Sequence, residues 1–242
     1  MIALNKPQVN LINFPSRVNN SVSNPISFSG KINNDTFEKR SKATAFDKSI
    51  KICTEALKCD HPHEKCVLFD EEKNELLLQK TGDANSCAVS LKVVNKFGKC
   101  LSKTDLMHGH PSVLSRDGRE YTPPLSIQDF RFFNGSKLHK IIATDKNGKI
   151  SSFEKTPDFK PLTKRELKEL EKEIFAELFI SLPDNFANYL AETRAAGMLS
   201  DDEIFTIVEQ SQLEKEGMAA LDKFWKNKAQ SLGLQYKSEM EY

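Results

Sequence analysis

The residues with the clearest chemical potential lie in the stretch LMHGHPSVLSRDGREYTPPLSIQDF, residues 106–130. His108 and His110 stand two apart at the end of a short apolar run. In an extended strand, side chains two apart point to the same side, so both imidazoles can aim into one space. Two neutral imidazoles on a rigid element suit a borderline metal such as Zn2+. Ser126 and Asp129 follow, three apart at a predicted helix start, which puts them on one face. Asp129 can add an oxygen ligand and Ser126 can face the same pocket. Two histidines and one carboxylate leave a fourth tetrahedral position for water, the arrangement of a catalytic rather than a structural zinc. The same Ser-x-x-Asp also reads as an N-cap serine with an acidic residue at N3, a purely structural helix start.

The elements around these residues follow from periodicity. Ala43–Lys58 has Phe46, Ile50, Cys53 and Leu57 on one helical face. Lys65–Phe69 and Glu75–Gln79 flank a polar turn and read as a hairpin. Ala88–Val94 is rich in strand formers, Thr104–His108 reads as a short strand, and Ser126–Phe133 reads as a helix start. Leu138–Thr144 and Lys149–Phe153 flank Asn147-Gly148, whose residues suit the positive φ angles of a tight turn. Past Pro161 the pattern turns helical. Thr163-x-x-Glu166 has the form of a capping box, with Leu167, Leu170, Ile174 and Leu178 on one face. A second helix is expected over Asn185–Ala196. A third, capped by Ser200-x-x-Glu203, is expected to run toward Ser231. The expected organisation is a disordered leader over residues 1–42, an α/β domain over 43–158 and a helical region over 160–242.

Bulk properties narrow the class. The chain has 242 residues, 38% of them hydrophobic and 29% charged, with a net charge of +1. No segment approaches the run of about 18–20 apolar residues that a membrane helix needs. The first twenty residues lack the apolar core of a secretory signal. Residues 160–242 carry 11 Lys/Arg against 16 Asp/Glu, so the basic excess lies in the N-terminal part. That excess gives slight support to a nucleic-acid partner, but no Arg-rich stripe or aromatic RNA-binding motif accompanies it. Five cysteines, an odd number without an export signal, point to reduced thiols in the cytoplasm.

The run His108-Gly-His110-Pro, followed by Pro124-Leu125-Ser126-x-x-Asp129, resembles the signature of the JAMM (JAB/MPN) metalloproteases, in its bacterial JAB-like and RadC-like branch. The resemblance covers roughly residues 43–155. It implies a mixed β-sheet flanked by helices, with Zn2+ held by His108, His110 and Asp129. It also implies a glutamate general base soon after the first helix. Glu64, 44 residues before His108, matches in context, and Glu75 on the second strand is its competitor. The implied activity is hydrolysis of peptide or isopeptide bonds in a protein substrate. Glu64 would take the proton of a water whose pKa the zinc lowers to about 7, and Ser126 would help to stabilise the oxyanion. One departure is clear: His110 and Ser126 are separated by an insertion, Pro111–Leu125, that would border the active site.

Other readings stay open. The site can belong to a non-catalytic binding or scaffold module on the same fold. Cys59, His61, His63 and Cys66 pack four potential ligands into eight residues and offer an alternative structural zinc site, though without an obvious second ligand pair. His139 reads as an ordinary strand-edge residue. The aromatic residues of the tail, among them Phe175, Phe179, Phe205, Phe224 and Trp225, read first as a helix-packing core. A partner-docking surface, self-association or an inhibitory cap are the functional alternatives.

Overall fold

The computed structural model describes residues 43–83, 87, 89–97 and 103–242. The expected leader, Ala88 and Cys100 lie outside the described residues. The described residues form one compact unit.

Helix α1 (Ala45–Leu57) opens on a reciprocal cap, in which the Thr44 hydroxyl accepts from the Asp47 amide and the Asp47 carboxylate accepts from the Thr44 amide. Strands β1 (Lys65–Asp70) and β2 (Glu75–Thr81) then form the expected hairpin. Asn74 closes the turn at φ 55°, a left-handed conformation that asparagine tolerates. The segment expected to be β-rich is instead helix α2 (Leu91–Phe97). There the Ser90 carbonyl accepts from the Val94 amide and the Ser90 hydroxyl from the Val93 amide. Val94 is fully buried, and this packing overrides the strand preference of two adjacent valines.

Strand β3 (Thr104–Gly109) carries the first histidine. The insertion beyond it contains two very short strands, β4 (Val113–Leu114) and β5 (Glu120–Tyr121), paired with each other. Helix α3 (Ile127–Gly135) follows, then strands β6 (Lys140–Thr144) and β7 (Ile150–Lys155). β3 and β6 pair in parallel, and such pairs need a long crossover. The insertion and α3 supply it, which brings the start of α3 back to the C-terminal end of β3.

The tail forms α4 (Lys164–Ile180), α5 (Asp184–Ala195), α6 (Asp201–Gln210) and α7 (Lys215–Lys228), and then a strand, β8 (Leu234–Ser238). The third expected helix is therefore split in two. A 3-10 turn at Ser211–Leu213 breaks it. Gly217 keeps the break tight, because a Cβ at that position would overlap the Ser211 carbonyl. β8 was not expected from the sequence. It adds to β7 and completes a six-stranded sheet in the order β2-β1-β3-β6-β7-β8. The fold is α/β, with a mixed sheet flanked by helices and a C-terminal helical region that also donates the last strand.

Strand alternation divides the core. Val67, Phe69, Met107 and Ile142 pack against α1, whereas Cys66, Leu68, Leu106 and Ile141 face α3 and the tail helices. Trp225 of α7 is fully buried, with its ring 5.2 Å from that of Phe130 and 4.8 Å from that of Phe153. Its indole N–H donates to the Leu125 carbonyl at 3.0 Å, which fixes α7 to the residue preceding Ser126. Among the described residues no helix is long and apolar enough to cross a membrane.

Candidate metal centre

His108 lies near the end of β3, opposite Cys66 on one side and Ala143 on the other. Alternation turns it to the α3 side of the sheet, and it is buried. His110 lies just beyond the strand and keeps the ladder going, its amide donating to the Thr144 carbonyl at 2.8 Å. Gly109 between them lets the end of α1 come close, since a Cβ there would sit 3.2 Å from the Leu57 side chain. The two imidazoles converge: His108 Nε2 and His110 Nε2 are 2.8 Å apart.

Asp129 closes the group from the first turn of α3. Its Oδ1 lies 3.2 Å from His108 Nε2, and its Oδ2 lies 3.7 Å from His110 Nε2. Oδ2 also accepts from the Ser126 amide at 2.8 Å and from the Ser126 hydroxyl at 2.7 Å. The helix cap and the candidate ligand are thus one carboxylate, with one oxygen committed mainly to the cap. Histidine and aspartate ligand atoms all lie within 4.8 Å of one another, so His108, His110 and Asp129 can hold a metal ion. They are the group of this kind among the described residues.

The electrostatics fit a cation. His110 Nδ1 is 3.0 Å from the Pro123 carbonyl, which can only accept, so the proton sits on Nδ1 and the Nε2 lone pair faces the centre. Burial, followed by the charge of His108, lowers the pKa of His110 to about 4. Burial alone would lower His108 too. The charge and hydrogen bond of Asp129, with Glu64 and Cys87, outweigh it and raise His108 above its ordinary value. Asp129 is partly buried, which favours its neutral form, yet His108, His110 and Ser126 hold its carboxyl well below the usual range. The cluster therefore keeps an anion beside one favoured positive charge. A tetrahedral ion with bonds of about 2.0–2.1 Å separates its nitrogen ligands by roughly 3.3 Å, so the two rings need part by only about half an ångström to accept one.

Glu64 lies at the edge of this group. Its amide donates to Asp83 and its carbonyl accepts from Gly82, which extends the β1–β2 ladder. Continuing the β1–β3 register by two residues sets it opposite His110. Burial raises its pKa, with Asp129 and Asp83 adding to the rise, while His108 and the Cys87 amide, which donates to the carboxylate, act against it. Glu75 is elsewhere. It pairs with Asp70, which pairs with Thr104, four residues along β3 from His108 or roughly 13 Å. The Cys59–Cys66 run does not assemble a ligand set. Cys59 donates to the carbonyls of Ala56 and His61, whereas Cys66 is buried in the sheet and donates to the Cys87 carbonyl at 2.9 Å. The interaction of the two side chains, together with burial, pushes the Cys66 thiol up, and the same interaction draws Cys87 down against the effect of burial.

The sequence reading missed two groups of residues. His139 sits 3.1 Å from the buried Asp105 carboxylate and 3.5 Å from Glu154, a paired position rather than a plain strand edge. The insertion is also held by the tail. The Glu214 carboxylate accepts from the Ser115 hydroxyl, the Arg116 amide and Arg116 Nε at 3.0–3.1 Å. Tyr242 donates to the Thr122 carbonyl at 3.3 Å, next to the Pro123 carbonyl that orients His110. These contacts join residues about a hundred positions apart, and no local pattern announces them. Comparison of the chain with protein-family models, curated proteins and solved structures finds no match.

Proposed function

We propose that this protein is a zinc-dependent hydrolase of peptide or isopeptide bonds, with a JAMM-like site and a protein or peptide substrate, working in the cytoplasm where its thiols stay reduced. The observation that carries the reading is the convergence of His108, His110 and Asp129 on one small volume, with Glu64 beside it. These three residues would hold a Zn2+ ion, which would supply a Lewis acid able to lower the pKa of a water to about 7. Glu64 then serves as the base and afterwards delivers the proton to the leaving amine. Its raised pKa suits both duties, since a general base works best when its pKa approaches the operating pH. Burial and the charge of His108 keep His110 neutral, and the Pro123 carbonyl holds its one proton on Nδ1. Ser126 can donate to an oxyanion only by turning its hydroxyl away from Asp129 Oδ2, which then keeps the Ser126 amide as a partner.

That committed hydroxyl also favours a second reading, a binding or scaffold module with an unused site. Metal analysis of the purified chain, followed by assay of peptide and isopeptide cleavage with and without chelator, separates the two. Zinc uptake with chelator-sensitive cleavage supports the hydrolase. Zinc uptake without cleavage of any substrate supports the module. A chain that takes up no zinc ends both zinc readings.

A further inference from the structure

We propose that Cys66 and Cys87 form a thiol pair that closes to a disulfide under hydroperoxide, beside the candidate base Glu64. The two residues come from different places, β1 and the segment before α2, yet the Cys66 thiol donates to the Cys87 carbonyl at 2.9 Å, and the two side chains are near enough to perturb each other's charge. Cys87 in turn donates to the carbonyl of Lys80, the residue that pairs with Cys66 across the hairpin. Both sulfurs therefore sit against the same short piece of the β1–β2 ladder. Cys87 is half-buried and Cys66 is buried, the pairing expected of an attacking and a resolving thiol.

The other described cysteines do not compete. Cys53 packs on the α1 side of the sheet and donates to the Lys65 carbonyl, and Cys59 is exposed and bonded to local carbonyls. The step balances without a cofactor. The Cys87 thiolate attacks one peroxide oxygen, the O–O bond breaks, and hydroxide leaves to take up a proton. The sulfenic acid so formed is attacked by the Cys66 sulfur, which releases its proton and a second water. Two thiols are oxidised by two electrons and the peroxide is reduced to two waters.

Location gives the bond a consequence. The Cys87 amide donates to the Glu64 carboxylate, so a crosslink at Cys87 fixes the backbone that orients the base. That consequence rests on the hydrolase reading, whereas formation of the bond does not.

The test uses the full chain, reduced and then treated with hydrogen peroxide at increasing concentration, with free thiols blocked before digestion. Peptide mapping should recover Cys66 and Cys87 in one crosslinked species, two hydrogens lighter than the sum of its parts, which disappears on reduction with dithiothreitol. Cys87→Ser should abolish it. Cys66→Ala, should it fold, should instead leave Cys87 as a trappable sulfenic acid. Zinc content is measured on the same samples, and because neither thiol is a proposed ligand it should not fall when the crosslink forms. Over-oxidation of Cys87 without a Cys66 crosslink, or a crosslink to another cysteine, overturns the proposal. Crosslinking in a chain that takes up no zinc would support the thiol pair while removing the hydrolase reading.

Discussion

His110 is held from behind: its Nδ1 lies 3.0 Å from the carbonyl oxygen of Pro123, thirteen residues further along the chain. The carbonyl fixes the tautomer that leaves Nε2 free, and second-partner bonds of this kind orient metal-ligating histidines. In the metal-free protein the competing proton therefore belongs to His108, whose pKa is raised, and not to His110, whose pKa is near 4. The sign is direct. A metal must displace the His108 proton, so affinity is highest above the raised His108 pKa and falls as pH drops through it. The fall steepens once His110 protonates too. Titration calorimetry in two buffers with different ionisation heats should report release of about one proton per zinc below the His108 pKa, falling toward none above it. An affinity that does not change with pH in the mildly acidic range contradicts this assignment.

Glu64→Gln separates base from ligand. Glu64 is outside the ligand group, so zinc affinity should change by no more than a few-fold, while cleavage should fall by about 10²–10⁴-fold, the usual worth of a general base. The thermal midpoint should hold or rise, because burial already disfavours the charge that the substitution removes. Parallel measurements of zinc content, melting and turnover check all three. Loss of zinc together with turnover would make Glu64 a ligand instead.

Much of this centre was legible because its signals are local. The two-residue spacing of His108 and His110 aims both rings one way on a strand, and Ser126-x-x-Asp129 is readable as a helix start whatever else it does. The structure joins the two readings of that motif, since Asp129 caps α3 with the same carboxylate that meets His108. The Glu64–Glu75 choice was not legible, because it depends on strand register, and a strand has two ends. Val93 and Val94 misled for a related reason: their strand preference is weaker than the burial of Val94 on a helix. β8 was hidden by its length and by its place after helices. Only its pairing with β7 makes a strand of Leu234–Ser238.

His139 and Asp105 predict a pH-dependent stability. The hydrogen bond and charge of Asp105 raise His139 despite partial burial, and burial raises Asp105 itself. A raised histidine contributes stability that is fully present below its unfolded value near 6.5 and is lost as pH rises through its folded value. The raised aspartate has the same sign, its favourable proton being lost as pH rises above its usual range. His139→Gln should therefore cost on the order of 1 kcal/mol at mildly acidic pH and progressively less at alkaline pH. Urea midpoints of both proteins across that range, measured with chelator present, give the difference. A cost that grows with pH would reverse the assignment.

Glu214→Ala tests whether the tail helps to build the centre. One carboxylate accepts three hydrogen bonds from Ser115 and Arg116, and the Ser115 hydroxyl also accepts from the Lys215 amide. Arg116 is largely exposed, so its ion pair contributes little, but Ser115 is buried and loses its acceptor. The expected destabilisation is about 1–2 kcal/mol. The larger effect should be on the metal. The clamped loop runs through Thr122 to the Pro123 carbonyl behind His110, and loss of such an outer partner typically weakens metal binding by about 10–100-fold. With two further tail contacts still holding Thr122 and Leu125, the lower end of that range is expected. Glu214→Gln keeps an acceptor for Ser115 and the Arg116 amide, so it should fall between wild type and Glu214→Ala. Competition with a chromophoric chelator measures the affinities. Wild-type affinity in a folded Glu214→Ala protein would mean that the Pro123 carbonyl stays in place without the clamp, and that the tail stabilises the fold without tuning the centre.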